Sequence, residues 1–255
     1  CGQVPAELSD WAIAIPDHLP ACQFGFETAW ENLQHQHNSG VERGNTNLAY
    51  CGLLPTGKAA IHAWRGLWNQ GFRTFKWKIG VAPLVQEQTW LERLAQELPP
   101  TAKLRLDANA GFTLEQAKSW LTLCDRLPQI EYLEQPLPPN QFDTLCQLQN
   151  QHSTVLALDE SVATLRQLQD CYTQGWRGVF VIKPAIAGKP SQLRQFCQPH
   201  PIDAVFSSVL GTAIARSAGL RLAAELGNPN RAHGYGILHW FETVIQDYEQ
   251  LWQTL

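Results

Sequence analysis

Between Leu104 and Asn109 the chain reads LRLDAN, and four other segments are built alike: FKWKIG at 75–80, EYLEQP at 131–136, LALDES at 156–161 and FVIKPA at 180–185. Each is a short, largely apolar run that closes on an ionisable residue: Lys78, Asp107, Glu134, Asp159 and Lys183. Successive charges stand 29, 27, 25 and 24 residues apart, one strand–helix unit each. Apolar strands buried on both faces do not end in charge unless those charges meet something. Five in register, ordered Lys, Asp, Glu, Asp, Lys, therefore predict a shared location.

Working outward, β-like runs fall at Leu48–Leu53, Phe72–Ile79, Lys103–Asp107, Ile130–Glu134, Thr154–Asp159, Gly178–Lys183 and Ile202–Phe206. Helical spacing lies between them. Trp90, Leu91, Leu94, Ala95 and Leu98 share one face, and so do Leu114, Ala117, Trp120, Leu121 and Cys124 behind Thr113 as N-cap and Gln116 as its reciprocal partner. Leu165, Leu168 and Tyr172 form a third face, closed by Gly175. Strand then helix, repeated, means parallel strands with right-handed crossovers. No glycine-rich turn follows the first strand, which disfavours a doubly wound nucleotide-binding sheet and favours a (β/α) barrel. Before Leu48 no strand–helix unit fits. Leu19–Gln36 reads as a helix and His35–Asn47 as a polar loop.

The 255 residues carry 19 Lys and Arg against 23 Asp and Glu, a net charge of −4. That balance argues against a nucleic-acid or anionic-membrane partner, since both require a basic face. No apolar run approaches the roughly 18 to 20 residues that span a bilayer. Seven scattered cysteines without a CxxC pair are expected to be small buried thiols in a reducing compartment. A soluble cytoplasmic protein of open oligomeric state is the expectation. Trp77, between Lys76 and Lys78, is expected to face the barrel wall.

All strand C-termini of a parallel barrel emerge on the face that carries active sites. Asp107, Glu134 and Asp159 would converge there, and three carboxylates without a counter-ion repel and take up protons. A hard cation resolves this, Mg²⁺ with Mn²⁺ as the alternative, because the ligands are all oxygen. Lys78 and Lys183 flank the trio and would face each other across it. A lysine beside a metal and another cation becomes a usable base. The implied chemistry is removal of a proton α to a carboxylate, with the metal stabilising the enediolate.

These motifs, K-x-K, LDAN, LEQP, LDES and IKP, resemble the enolase superfamily in its muconate-cycloisomerase-like branch. CGLLPTGKAAI (51–61), FSSVLGTAIAR (206–216) and AAELGNPNRAHGYGI (223–237) extend the likeness to its o-succinylbenzoate synthase family. The resemblance implies an α/β fold: a (β/α)7β TIM-like barrel over residues 47–240, with a remnant of an N-terminal α+β capping domain at 1–46. Residues 241–255 would return to that cap, whose first part, with its substrate-closing loops, would be missing. It implies a lyase that dehydrates 2-succinyl-6-hydroxy-2,4-cyclohexadiene-1-carboxylate to 2-succinylbenzoate in menaquinone or phylloquinone biosynthesis. Asp107, Glu134 and Asp159 match the Mg²⁺ ligands, Lys78 the base, and Lys183 the opposing cation over the substrate ring. Lys76 matches the lysine that supports the base and the metal-bound carboxylate, and would lower the pKa of Lys78 by repulsion. Two alternatives remain: an N-succinylamino-acid racemase or dipeptide epimerase, and a truncated, inactive barrel with a structural role.

Smaller signals complete the reading. Asn109, two past Asp107, is expected at the same mouth or in an ordinary polar loop. Glu160 would point the other way on a regular strand, yet is a candidate for orienting a lysine or ligand. Backbone N–H groups around Ser207, Ser208 and Gly211 are candidates to hold a second substrate carboxylate, with a plain helix cap as the alternative.

Overall fold

A computed structural model describes residues 15–37 and 48–237. Eight parallel strands form one sheet: β1 Tyr50–Leu53, β2 Thr74–Lys78, β3 Lys103–Asp107, β4 Ile130–Glu134, β5 Leu156–Leu158, β6 Val179–Ile182, β7 Asp203–Phe206 and β8 His233–Gly236. Seven neighbour pairs run in the order β7-β6-β5-β4-β3-β2-β1-β8. A parallel bridge between Ser207 and Gly234 joins the outer two strands and closes the barrel. Gly234 permits this approach, since a Cβ there would meet Ser207 Oγ at 2.5 Å. The eighth strand, HGYG, is half glycine and shows no apolar alternation, so its pattern did not mark it as a strand.

Helices α1 Pro20–His37, α2 Ala60–Asn69, α3 Leu84–Glu97, α4 Leu114–Cys124, α5 Phe142–Gln151, α6 Leu165–Thr173, α7 Pro184–Ala187, α8 Pro190–Cys197 and α9 Ala213–Leu226 complete the described elements. Thr113 and Gln116 make the expected reciprocal cap of α4. Thr164 and Gln167 repeat the device at α6. Helix α1 runs to His37, two residues past the point where a polar loop was expected; the rest of that segment lies outside the described residues. So do half of the proposed cap, residues 1–14 and 38–46, and all of 241–255. Helix α1 is tied to the barrel by Arg194, which reaches Glu31 and Glu225 at 2.5 Å each, and by Arg221 to Asn32 at 2.8 Å. No helix among the described residues is long and apolar enough to cross a membrane.

Strand alternation splits the apolar residues into two layers. Phe75, Trp77, Leu104, Leu106, Leu133, Leu156, Leu158 and Phe180 pack outward under the helices. Trp77 is fully buried there, as its position between two lysines requires. Inside, Tyr132, Ala157, Val179, Val181 and Val205 form a small second cluster. Its thinness leaves the two ends of the bore to charged groups. Strand β5 is shorter at both ends than its sequence pattern. Thr154 is drawn off β5 by Asp125, which accepts its N–H and its hydroxyl at 2.8 Å. Asp159 has already turned, at φ −121° and ψ −72°.

Candidate active site

Lys78, Asp107 and Glu134 stand level across three adjacent strands, paired in register at their C-terminal ends. Gln135 N bonds Ala157 O at 2.8 Å, which sets Asp159 beyond the end of β5, and Lys183 follows β6. The five charges read from the sequence therefore do share one mouth.

Lys76 takes the centre of it. On β2 it lies two residues below Lys78, hence on the same face, and its ammonium is 2.7 Å from both Asp107 and Glu134. Burial alone would lower its pKa, but the Glu134 and Asp107 carboxylates outweigh this and hold it well above the usual lysine range. Its charge is thus engaged by two carboxylates. Lys183 pairs with Asp159 at 2.6 Å. Lys78 is exposed at the mouth and makes no ion pair with the described residues. Gly80, at φ +82°, turns the chain just after it. The loop beyond is held by the buried Glu87, whose carboxylate accepts the N–H groups of Gly80, Val81 and Ala82 at 2.7, 3.1 and 3.1 Å.

The acidic side of the mouth is short of partners. Glu134 is 1% exposed, and burial followed by the Asp107 charge pushes its pKa up to about 8. Glu134 Oε2 and Asp159 Oδ1 are buried without any hydrogen-bond partner. Among the described residues no three His, Cys, Asp or Glu side chains close into a ready cage, because the two ammoniums stand between the carboxylates. The donor set nevertheless fits a hard divalent cation: three carboxylates on neighbouring strand ends, two of them with a buried oxygen left over. Asp107, Glu134 and Asp159 would hold it.

The supporting residues divide. Asn109, at φ +44°, gives its backbone N–H to Asp107 Oδ1 at 2.9 Å and its side-chain amide to Glu160 Oε1 at 3.1 Å. Glu160 does not follow strand alternation away from the mouth, because a short 3-10 turn over Glu160–Val162 begins there. Ser207 and Ser208 are not the expected anion donors. Their N–H groups are spent on Ile182 O at 2.8 Å, which continues the β6–β7 pairing, and on Gly234 O at 3.1 Å, which belongs to the closing seam. Gly211 borders a shallow recess with Pro184, Ser208 and Arg216, and Thr212 is the plain cap of α9. Two residues passed over in the sequence matter here, Glu87 and Gln135. The Gln of LEQP was visible as part of a motif, but its partners come from other strands.

Residues 59–250 match the enolase C-terminal domain-like family. The chain belongs to that family. Within it, the chain is 41% identical to the o-succinylbenzoate synthase of Thermosynechococcus vestitus, over the whole of this chain and 80% of that protein. A crystal structure of o-succinylbenzoate synthase from Thermosynechococcus elongatus BP-1, complexed with Mg in the active site, superposes with a TM-score of 0.82 at 39% identity, covering 100% of this chain and 79% of that one. The chloroplastic protein PHYLLO of Arabidopsis thaliana is 25% identical over 93% of this chain, which spans 16% of its length.

Proposed function

We propose that this chain is a Mg²⁺-dependent carbon–oxygen lyase that dehydrates 2-succinyl-6-hydroxy-2,4-cyclohexadiene-1-carboxylate to 2-succinylbenzoate, in menaquinone or phylloquinone biosynthesis. The observation that carries this reading is 41% identity along the entire chain to an o-succinylbenzoate synthase, together with five ionisable residues at successive strand ends. The substrate is a small carboxylate and the setting cytoplasmic.

Asp107, Glu134 and Asp159 would hold Mg²⁺, which would supply positive charge against the negative charge that builds on the substrate carboxylate; Mn²⁺ would meet the same donors. Lys78, unpaired among the described residues and open to the mouth, takes the proton α to that carboxylate. The C–H electrons move toward the carboxylate and return to form the ring double bond as the C–O bond breaks. Lys78, now an ammonium, gives its proton to the departing hydroxyl, which leaves as water. Lys183 places a second positive charge on the opposite side of the substrate ring. Lys76 bonds both Asp107 and Glu134 and so keeps two carboxylates side by side.

The test is a direct comparison of substrates. The purified chain with Mg²⁺ should aromatise the cyclohexadiene, seen by ultraviolet absorbance, and lose that activity to EDTA. N-succinylamino-acid racemisation faster than dehydration, or neither activity with Mg²⁺ bound, would overturn the assignment.

A further inference from the structure

Gln135 is completely buried, one residue past Glu134, in a left-handed backbone conformation at φ +36° that a non-glycine residue rarely adopts. Such strain persists only where the surroundings over-determine it. Here they do. Its backbone carbonyl accepts Ala110 N at 2.7 Å from the loop that follows Asp107, and its N–H donates to Ala157 O at 2.8 Å, two residues before Asp159. The side-chain carbonyl accepts the N–H groups of Asp159 at 3.0 Å and Ser161 at 3.1 Å. The side-chain amide donates to Leu137 O at 2.8 Å and to Ser161 Oγ at 2.7 Å.

Only an amide does all of this. The pocket requires an acceptor for two N–H groups and, on the same planar group, a double donor for a carbonyl and a hydroxyl. A carboxylate lacks the donors and an apolar side chain lacks both. The loop after Asp107 is tied to the backbone of this buried residue, which itself follows Glu134, and the Asp159 backbone to its side chain, so the relative placement of the three carboxylates depends on how Gln135 is held. We propose that Gln135 is a positioning residue that holds Asp107, Glu134 and Asp159 in register for the divalent cation. This rests on the assignment of those three residues as the cation's ligands.

Calorimetric titration with MgCl2 tests it in two variants of unchanged charge. Gln135→Met removes all four side-chain bonds at nearly the same length, and Ser161→Ala removes one. Loss of a residue that orients metal ligands costs about 10- to 100-fold in affinity. The dissociation constant for Mg²⁺ should therefore rise at least about tenfold in Gln135→Met, and about two- to fivefold in Ser161→Ala. Saturating Mg²⁺ should restore most of kcat, which it would not do for general structural damage. Asp125→Asn, which loosens the far end of β5, is the control: lower Tm with unchanged Mg²⁺ affinity. If Gln135→Met does not fold, Ser161→Ala decides alone. Mg²⁺ affinities indistinguishable from the parent's in the folded variants would overturn the role of Gln135. A parent chain that binds no Mg²⁺ would instead overturn the ligand assignment on which it stands.

Discussion

At the floor of the barrel Glu131 receives Arg105 at 2.5 Å and Arg231 at 2.9 Å, while Asp203 takes Arg231 through two bonds of 2.6 and 2.7 Å and Asn228 at 2.7 Å. At the mouth Glu134 shares one lysine with Asp107 and keeps a buried oxygen unpartnered. Both ends bury acid and base on the same strands, and the outcomes are opposite. On the floor burial alone would raise Glu131, but the Arg105 guanidinium outweighs it and holds its carboxyl below the usual range; Arg231 does the same for Asp203. At the mouth burial and the Asp107 charge push Glu134 up to about 8. A paired network stabilises the fold, and an under-paired one is ready for a cation. The floor owes its pairing to a bulge: Leu104 faces Ile130 while Arg105 faces Tyr132, so Glu131 is the extra residue, re-aimed at the arginines.

The sharpest way to break this contrast is at Lys78. Lys78→Ala should lower the dehydration rate by about 1000-fold while leaving the melting temperature nearly unchanged, whereas Lys183→Ala should lower the rate as far and, without Mg²⁺, the melting temperature too, because buried Asp159 loses its 2.6 Å partner. Full activity in either variant would remove the proposed role. Next come two mirror-image substitutions. Glu131→Gln should cost about 3–5 kcal/mol of stability, because Arg105 is left buried with its charge uncompensated, and should spare kcat in the folded fraction. Glu134→Gln should abolish Mg²⁺ binding yet keep urea stability within about 1 kcal/mol, since a strained carboxylate is replaced by a neutral amide of its own shape. If Glu131→Gln left stability intact, the floor would not be the structural end.

The pH dependence should also differ in sign between the ends. His233, whose Nδ1 accepts Phe206 N–H at 3.1 Å across the closing seam, is held down to about 4 by burial and then by Arg105. An imidazole whose folded pKa is depressed contributes stability above its unfolded pKa near 6.5, and loses it as the pH falls toward 4. The loss amounts to at most about 3 kcal/mol. Glu134 acts in the reverse sense. Its folded pKa is raised, so without Mg²⁺ stability should fall as the pH rises from about 4.5 to about 8, and added Mg²⁺ should flatten that limb. Melting curves across pH, with and without MgCl2 and in His233→Asn, check both; a seam indifferent to acid would clear His233 of its role. The smallest effect is expected at Glu87. Glu87→Gln weakens the hold on the loop after Lys78 and should lower kcat about tenfold with KM little changed, since Lys78 loses its aim and the substrate does not lose its contacts. An altered KM with constant kcat would place Glu87 elsewhere in the cycle.

Much of this molecule is local and could be read directly. The period-2 alternation around Lys76, Trp77 and Lys78, the Thr113–Gln116 cap and the charge at each strand end involve neighbours along the chain, so their pattern is written in consecutive residues. That was enough for the barrel class, for seven of its strands and for the five charged side chains at one rim. Other features depend on which distant group arrives alongside, and no spacing encodes that. Lys76 stands between two carboxylates because β2, β3 and β4 run in register, a pairing that the K-x-K spacing did not show. Ser208 gives its N–H to a strand, His233–Gly236, too rich in glycine to announce itself, and Ser207 gives its own to Ile182 at the end of β6. Glu131 became a structural acid by a one-residue slip, and Gln135 became the tie among three strand ends because its partners are Ala110, Asp159 and Ser161. Charge at the end of a strand follows from composition; whether that charge is satisfied follows from packing, since a hydrogen bond exists only when both partners reach the same place.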